Sequence, residues 1–222
     1  MPKVHRRRTT LAAVAAFTVV ICVCTVAPSF SYHGWQRGPW EKYDNKDHMT
    51  MWLNEDVTTG VDGVRVDTLV DIPANQLFPA LTDEERQKEY SFIREFKILK
   101  KYHNWGYLYQ RVQSTGIQDR DFTVKLVMVK PKHENAGPYG WVWRQANDKG
   151  PPPRDGVVRA EHVAGSYLLT PVGKNHDKTL VSYRLWFDPS SWVPDFLINM
   201  AVRDAAYETV RKIRKDAVRM KH

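Results

Sequence analysis

From residue 93 onward the sequence repeats one pattern. Six segments, IREFKILKK, WGYLYQRV, FTVKLVMVK, YGWVWRQ, VVRAEHVAGSYLLTPVG and KTLVSYRLWFDP, succeed one another, most of them across short polar turns, and their residues alternate in character with a period of two. Strand side chains point to opposite faces in turn, so this alternation specifies half-buried strands rather than helices. Strands joined by short turns run antiparallel. Six in succession have to curl, because a flat sheet that wide leaves an apolar face uncovered. Gly165, inside the long fifth segment, is expected to mark a bulge or bend where the sheet curls. An earlier strand sets Val64, Val66, Thr68 and Val70 against Arg65, Asp67, Leu69 and Asp71, and Pro73 stops it. Two short helices come next. The first has a proline at its start, Leu77 and Leu81 on one face and a second proline, Pro79, that keeps it short; the second opens on a capping box of Thr82 and Glu85.

The cover for the concave face comes last. After Ser190, Ser191 and Pro194 about 25 residues run without a helix breaker, and Ile198, Val202, Ala206, Val210, Ile213 and Ala217 form one continuous stripe. The first half of this helix is apolar nearly all round, through Phe196, Leu197, Met200 and Ala201. Its second half carries Arg211, Lys212, Arg214, Lys215 and Arg219 around a narrow stripe. The expected fold class is therefore α+β, a curved antiparallel sheet closed by a long C-terminal helix.

Residues 1–31 set Lys3, Arg6, Arg7 and Arg8 before an uncharged run from Thr9 to Ser31, the order of a secretory signal peptide or of an N-terminal membrane anchor. Either one sends the chain beyond residue 31 across the membrane, so an exported location is expected: periplasmic, or anchored in the inner membrane and facing the periplasm. Both cysteines, Cys22 and Cys24, lie in this segment. The segment holds four basic residues and no acidic ones, which leaves 29 basic against 25 acidic residues of the 33 and 25 in the whole chain. A balance of +4 is too mild for nucleic acid and suits a protein that meets anionic lipid head groups. Residues 32–61 mix aromatic and charged side chains, which reads as a tether or as a short helix around Met49 to Leu53; the domain proper is expected over residues 62–222.

Catalytic signatures are scarce. The chain has no Gly-rich phosphate loop, no GxSxG elbow and no cysteine pair beyond residue 24, and its histidines lack metal-ligand spacing. No cofactor or metal is expected.

Residues 105–126 and 165–199 together resemble the START family of lipid-transfer domains, within the wider Bet v 1-like fold. Three segments carry the resemblance: Arg120-Asp121-Phe122 opening a strand; Gly165 with Tyr167, Leu169 and Pro171; and Asp188-Pro189 with Val193-Pro194 entering the last helix. The resemblance implies a helix-grip fold, a sheet wrapped round the C-terminal helix to enclose an apolar cavity for one lipid, sterol or other hydrophobic molecule. It implies a compact bacterial-type member, shortened at its N-terminal side. Leu126 stands where sterol-binding members carry an Arg, which argues against sterol specificity.

On that basis the cavity candidates are Tyr107, Tyr109, Arg111, Trp141, Trp143, Arg144, Glu161, Tyr183 and Trp186: large rings with one polar point, and the polar residues placed on strands. Glu161 and His162 point to opposite faces, so at most one looks inward. For the charged entry to the 122–129 strand two readings stand. Arg120 either makes a partly buried ion pair with Asp119, Asp188 or a helix end and fixes that corner, or reaches the cavity mouth to meet a polar head. The expected gate is the start of the final helix, Trp192, Phe196, Leu197 and Met200. The expected partners are a lipid or other hydrophobic small molecule and a membrane surface, bound by a monomer. Two alternatives remain: a membrane-tethered domain with a collapsed interior that binds a protein, and a cyclase-like enzyme with a polar pair such as Tyr183 and Glu161 inside.

Overall fold

The computed structural model describes residues 39–54, 61–82, 89–113, 118–188 and 193–221. The first described elements are β1 (Glu41–Lys46) and β2 (Met49–Asn54), followed by β3 (Gly63–Val70) and α1 (Ala74–Leu81). Then come β4 (Ile93–Lys101), β5 (Trp105–Val112), β6 (Arg120–Val129), β7 (Tyr139–Gln145), the two-residue β8 (Val158–Arg159), β9 (His162–Val172) and β10 (Lys178–Asp188). The last element is α2 (Asp195–Met220). The strands make one ten-stranded sheet in the order β1-β2-β3-β10-β9-β7-β6-β5-β4, antiparallel throughout except that β8 lies parallel beside β6.

The tether or short helix expected at residues 49–53 is a strand. Asp47 and His48 both have positive φ and join β1 to β2 in a two-residue turn, the geometry whose twist matches that of paired strands. Met49, Met51 and Leu53 are buried while their neighbours Thr50 and Trp52 are half-buried, so the alternation of a sheet was present among the aromatic and charged residues. Among the described residues the sheet therefore starts at Glu41, and β2 pairs with β3 through Met51↔Val66.

Gly165 marks no bulge. The pairing of β9 with β10 and with β7 runs through it without a shift. A β-carbon there would collide with the Arg184 carbonyl and lie 2.5 Å from the Trp143 indole, so this glycine makes room for a ring. Shifts of register occur instead in the outer pairs β1–β2 and β4–β5. In α1 the buried residues are Ala74, Leu77, Phe78 and Leu81, and Pro79 lies inside the helix. Thr82 closes that helix, its hydroxyl donating to the Pro79 carbonyl at 2.8 Å; Glu85, its expected capping partner, lies outside the described residues.

All six stripe residues of α2 are buried, together with Asn199 and Asp216. The helix packs on β3 and β10. Its first half joins Met49, Met51, Leu53, Val64 and Val66 in one core cluster; its second half joins α1, Val70, Leu169 and Val181 in another. A third cluster, Leu108, Phe122, Val124, Ala160 and Val163, contains no helix residue.

Candidate ligand cavity

Strand register defines which residues share the inner face beneath α2. One row runs Met51, Val66, Tyr183, Tyr167, Trp141 and Met128; the next runs Leu53, Val64, Leu185, Gly165, Trp143 and Leu126. Met51, Leu53, Val64 and Val66 are buried at the helix side of these rows, whereas Leu185, Tyr183, Tyr167, Trp141, Trp143, Met128 and Leu126 are only half-buried. The Trp143 ring centroid lies 5.9 Å from that of Tyr183 and 6.5 Å from that of Tyr167. Trp141 packs near Phe78 of α1 at 6.5 Å.

Burial pushes the phenols of both Tyr167 and Tyr183 well above the ordinary tyrosine value, and nearby Tyr90 adds to the shift. A hydrogen bond with Thr209 of α2 works slightly the other way at Tyr183. Both hydroxyls are thus neutral, able to donate and accept, at physiological pH. Lys212 holds its ammonium 4.8 Å from the ring of Tyr90.

Of the nine cavity candidates, the inner face receives Trp141, Trp143 and Tyr183. Tyr107, Tyr109 and Arg111 alternate with Leu108 and Val112 and so lie on the outer face. There Tyr109 is 1% exposed; its hydroxyl donates to Asp121 Oδ2 at 3.0 Å, and burial together with that carboxylate pushes its pKa up to about 12. Arg111 sits 3.5 Å from Asp119 and 3.9 Å from Glu95. Arg144 is exposed on the outer face, and Glu161 is exposed just before β9. Trp186 is buried on the outer face against Trp40, 5.5 Å between centroids, and against Gly63. The Tyr183–Glu161 pair that a cyclase-like site called for is therefore not assembled. Tyr167, Leu126, Met128 and Leu185 belong to the middle rows but were not among the candidates. Alternation with buried Leu169 is the signal that places Tyr167 there.

The charged entry to β6 divides between the two faces. Asp121, buried on the outer side, takes a two-point ion pair from Arg159: Nε to Oδ1 at 2.6 Å and an Nη2 to Oδ2 at 3.1 Å. Arg159 also donates to the Pro151 carbonyl at 3.1 Å, which ties the proline-rich loop to the back of the sheet. The ion pair expected of Arg120 belongs instead to Asp121; Asp119 pairs with Arg111. Asp188 ends β10 opposite His162. In α2, Phe196, Leu197 and Met200 are exposed by 69%, 36% and 52%, while Trp192 lies outside the described residues.

Among the described residues no cluster of His, Cys, Asp or Glu could hold a metal ion, and no helix is long and apolar enough to cross a membrane.

A ten-stranded curved sheet gripping a long C-terminal helix is the helix-grip fold of lipid-binding domains. The START domain family model matches residues 32–220, and the chain belongs to that family. START domains in general bind and transfer lipids or other hydrophobic molecules. The steroidogenic acute regulatory protein, mitochondrial, of Rattus norvegicus is 26% identical over 183 residues, 79% of this chain and 63% of that protein. This chain thus spans less than two thirds of the length of that relative. Among solved structures, a STAR-related lipid transfer protein fragment from Xanthomonas axonopodis is 17% identical, with a TM-score of 0.69 over 81% of this chain and 99% of that one. Human StAR-related lipid transfer protein 5 is 12% identical, with a TM-score of 0.67 over 82% of this chain and 88% of that one. At such identities the likeness to the two structures is one of fold.

Proposed function

We propose that the protein binds one hydrophobic ligand, a phospholipid, fatty acid or isoprenoid-like molecule, in a hollow between the inner face of the sheet and α2, and exchanges it with a membrane. One observation carries the reading: Trp141, Trp143, Tyr167 and Tyr183 stay half-buried in the middle of the inner face, while smaller side chains of β2, β3 and α2 beside them are buried. In a filled core such rings would gain most from leaving water and would be covered first. Their open area suits a ligand that takes the place of missing side chains. The hollow is apolar with a few neutral hydroxyls, which fits an amphiphile with a long chain.

Exchange runs through the start of α2, where Phe196, Leu197 and Met200 offer an apolar patch for insertion among head groups. The basic-then-apolar order of residues 1–31 supports an exported protein, periplasmic or anchored in the inner membrane. The test is native mass spectrometry of the full chain, purified gently from its own envelope, together with lipid extraction. One ligand per chain is expected; protein that is reproducibly empty and takes up no lipid from vesicles would overturn the reading.

A further inference from the structure

Inside the two outermost strands, β1 and β4, the described residues put one charge on the inner face of the sheet. Taken by register, the inner residues of β2, β3, β5, β6, β7, β9 and β10 are aliphatic, aromatic, Gly, Pro, Thr or Gln, with Arg120 the exception among the described residues. Arg120 stands opposite Val112 and Val158, two places before Phe122, and is 4% exposed. Its Nη1 donates to the Gln118 carbonyl, its Nε has no hydrogen-bond partner, and no carboxylate pairs with it within 4.0 Å among the described residues. Asp119, close enough to favour the charged form slightly, is engaged by Arg111 at 3.5 Å. Burial lowers the Arg120 pKa, yet a guanidinium stays charged in proteins. The segment leading into β6, Ser114-Thr115-Gly116-Ile117, brings no carboxylate. A planar fork with an unused donor, withdrawn from water, has among the described residues no anion of the kind that normally accompanies it.

We propose that Arg120 anchors the oxyanion head group, carboxylate or phosphate, of the bound amphiphile, whose chain then runs along the inner face toward Trp143. This rests on the ligand-binding reading above and names the head group for it. From Arg120 to Leu126, opposite Trp143, is six residues of β6, ~20 Å at ~3.3 Å per residue, on the order of a long acyl chain.

The experiment uses two pairs of probes on the full chain, each an acid and its uncharged counterpart: palmitate against hexadecanol, and oleoyl lysophosphatidate against mono-oleoylglycerol. In at least one pair the acid binds roughly tenfold tighter, and the pair that shows it identifies carboxylate or phosphate as the head group. Arg120→Gln, which can still donate to the Gln118 carbonyl, brings that acid down to its counterpart and leaves the counterpart within about twofold. Arg120→Lys recovers part of the preference. Equal binding within both wild-type pairs, or an Arg120→Gln variant that weakens acid and counterpart alike, overturns the role of Arg120 while the hollow stands. If none of the four probes binds, the ligand-binding reading itself falls. The wild-type comparison decides the matter even where the variant does not fold.

Discussion

Asp121 and Arg120 are neighbours in sequence and face opposite sides of one strand, and the two sides make different demands on them. On the outer side a nearly unexposed carboxylate is matched by the Arg159 fork and the Tyr109 hydroxyl. Asp121→Asn leaves Arg159 without its countercharge in a mostly buried place and is expected to cost about 3 kcal/mol, seen as a lower urea midpoint. Tyr109 gives a pH signature of the same corner. Its folded pKa lies above the ordinary 10.0, at about 12, so its contribution is complete below pH 10.0 and is lost as the pH rises toward about 12. Urea midpoints measured across that window should fall, and Tyr109→Phe should remove part of the fall; Tyr167 and Tyr183, raised in the same direction, keep the rest. Gly165→Ala tests the floor of the proposed hollow. The new methyl meets both the Arg184 carbonyl and the Trp143 indole too closely, so both have to shift and a loss of about 2 kcal/mol is expected, with a changed near-ultraviolet dichroism from the displaced tryptophan.

The strands from β3 onward and the helices α1 and α2 were legible in the sequence because their periods are strong; the faces of the strands were not. The second short helix expected after Thr82 lies outside the described residues. The six-residue stripe of α2 is buried as its spacing requires, and each segment expected to be a strand contains one. Aromatic residues misled because both faces of this sheet are covered in places. The loop of residues 146–160 shelters Tyr109 and Asp121, and Trp40 shelters Trp186, so a ring on the outer face looks the same in sequence as a ring on the inner one. Residues 49–54 were obscured for a related reason: three inner apolar side chains alternate with Thr50, Trp52 and Asn54 in a segment rich in charge. The start of α2 is the element with the clearest functional test. Phe196→Ser with Met200→Ser changes two exposed residues, so far-ultraviolet dichroism and the urea midpoint should stay as they are. Lipid exchange with anionic vesicles should slow several-fold. Unaltered exchange would move the gate to the loops.

At the scale of the whole molecule the core is divided rather than single. The helix covers β2, β3 and β10, α1 covers part of β7 and β9, and the cluster built on Leu108, Phe122 and Val124 is covered by neither. The half-buried rings lie where these three regions meet. That division could not be read from the stripe of α2, which specifies that a helix is buried but not over which strands it lies. The order of the strands has a consequence in time. β3 reaches its place only by pairing with β10, more than a hundred residues away, as in Val66↔Tyr183. Until β10 has been made, β1–β3 and the strands β4–β9 are two separate sheets with no strand pairing between them among the described residues. Contacts so distant along the chain close late and slowly, because the loop entropy must be met before they form. The seam that joins the two sheets is also the wall that carries Tyr183, so the proposed hollow is not formed until β10 is in place. A ligand of that hollow would therefore be acquired only after β10 and α2 have been made, from wherever the finished protein meets it.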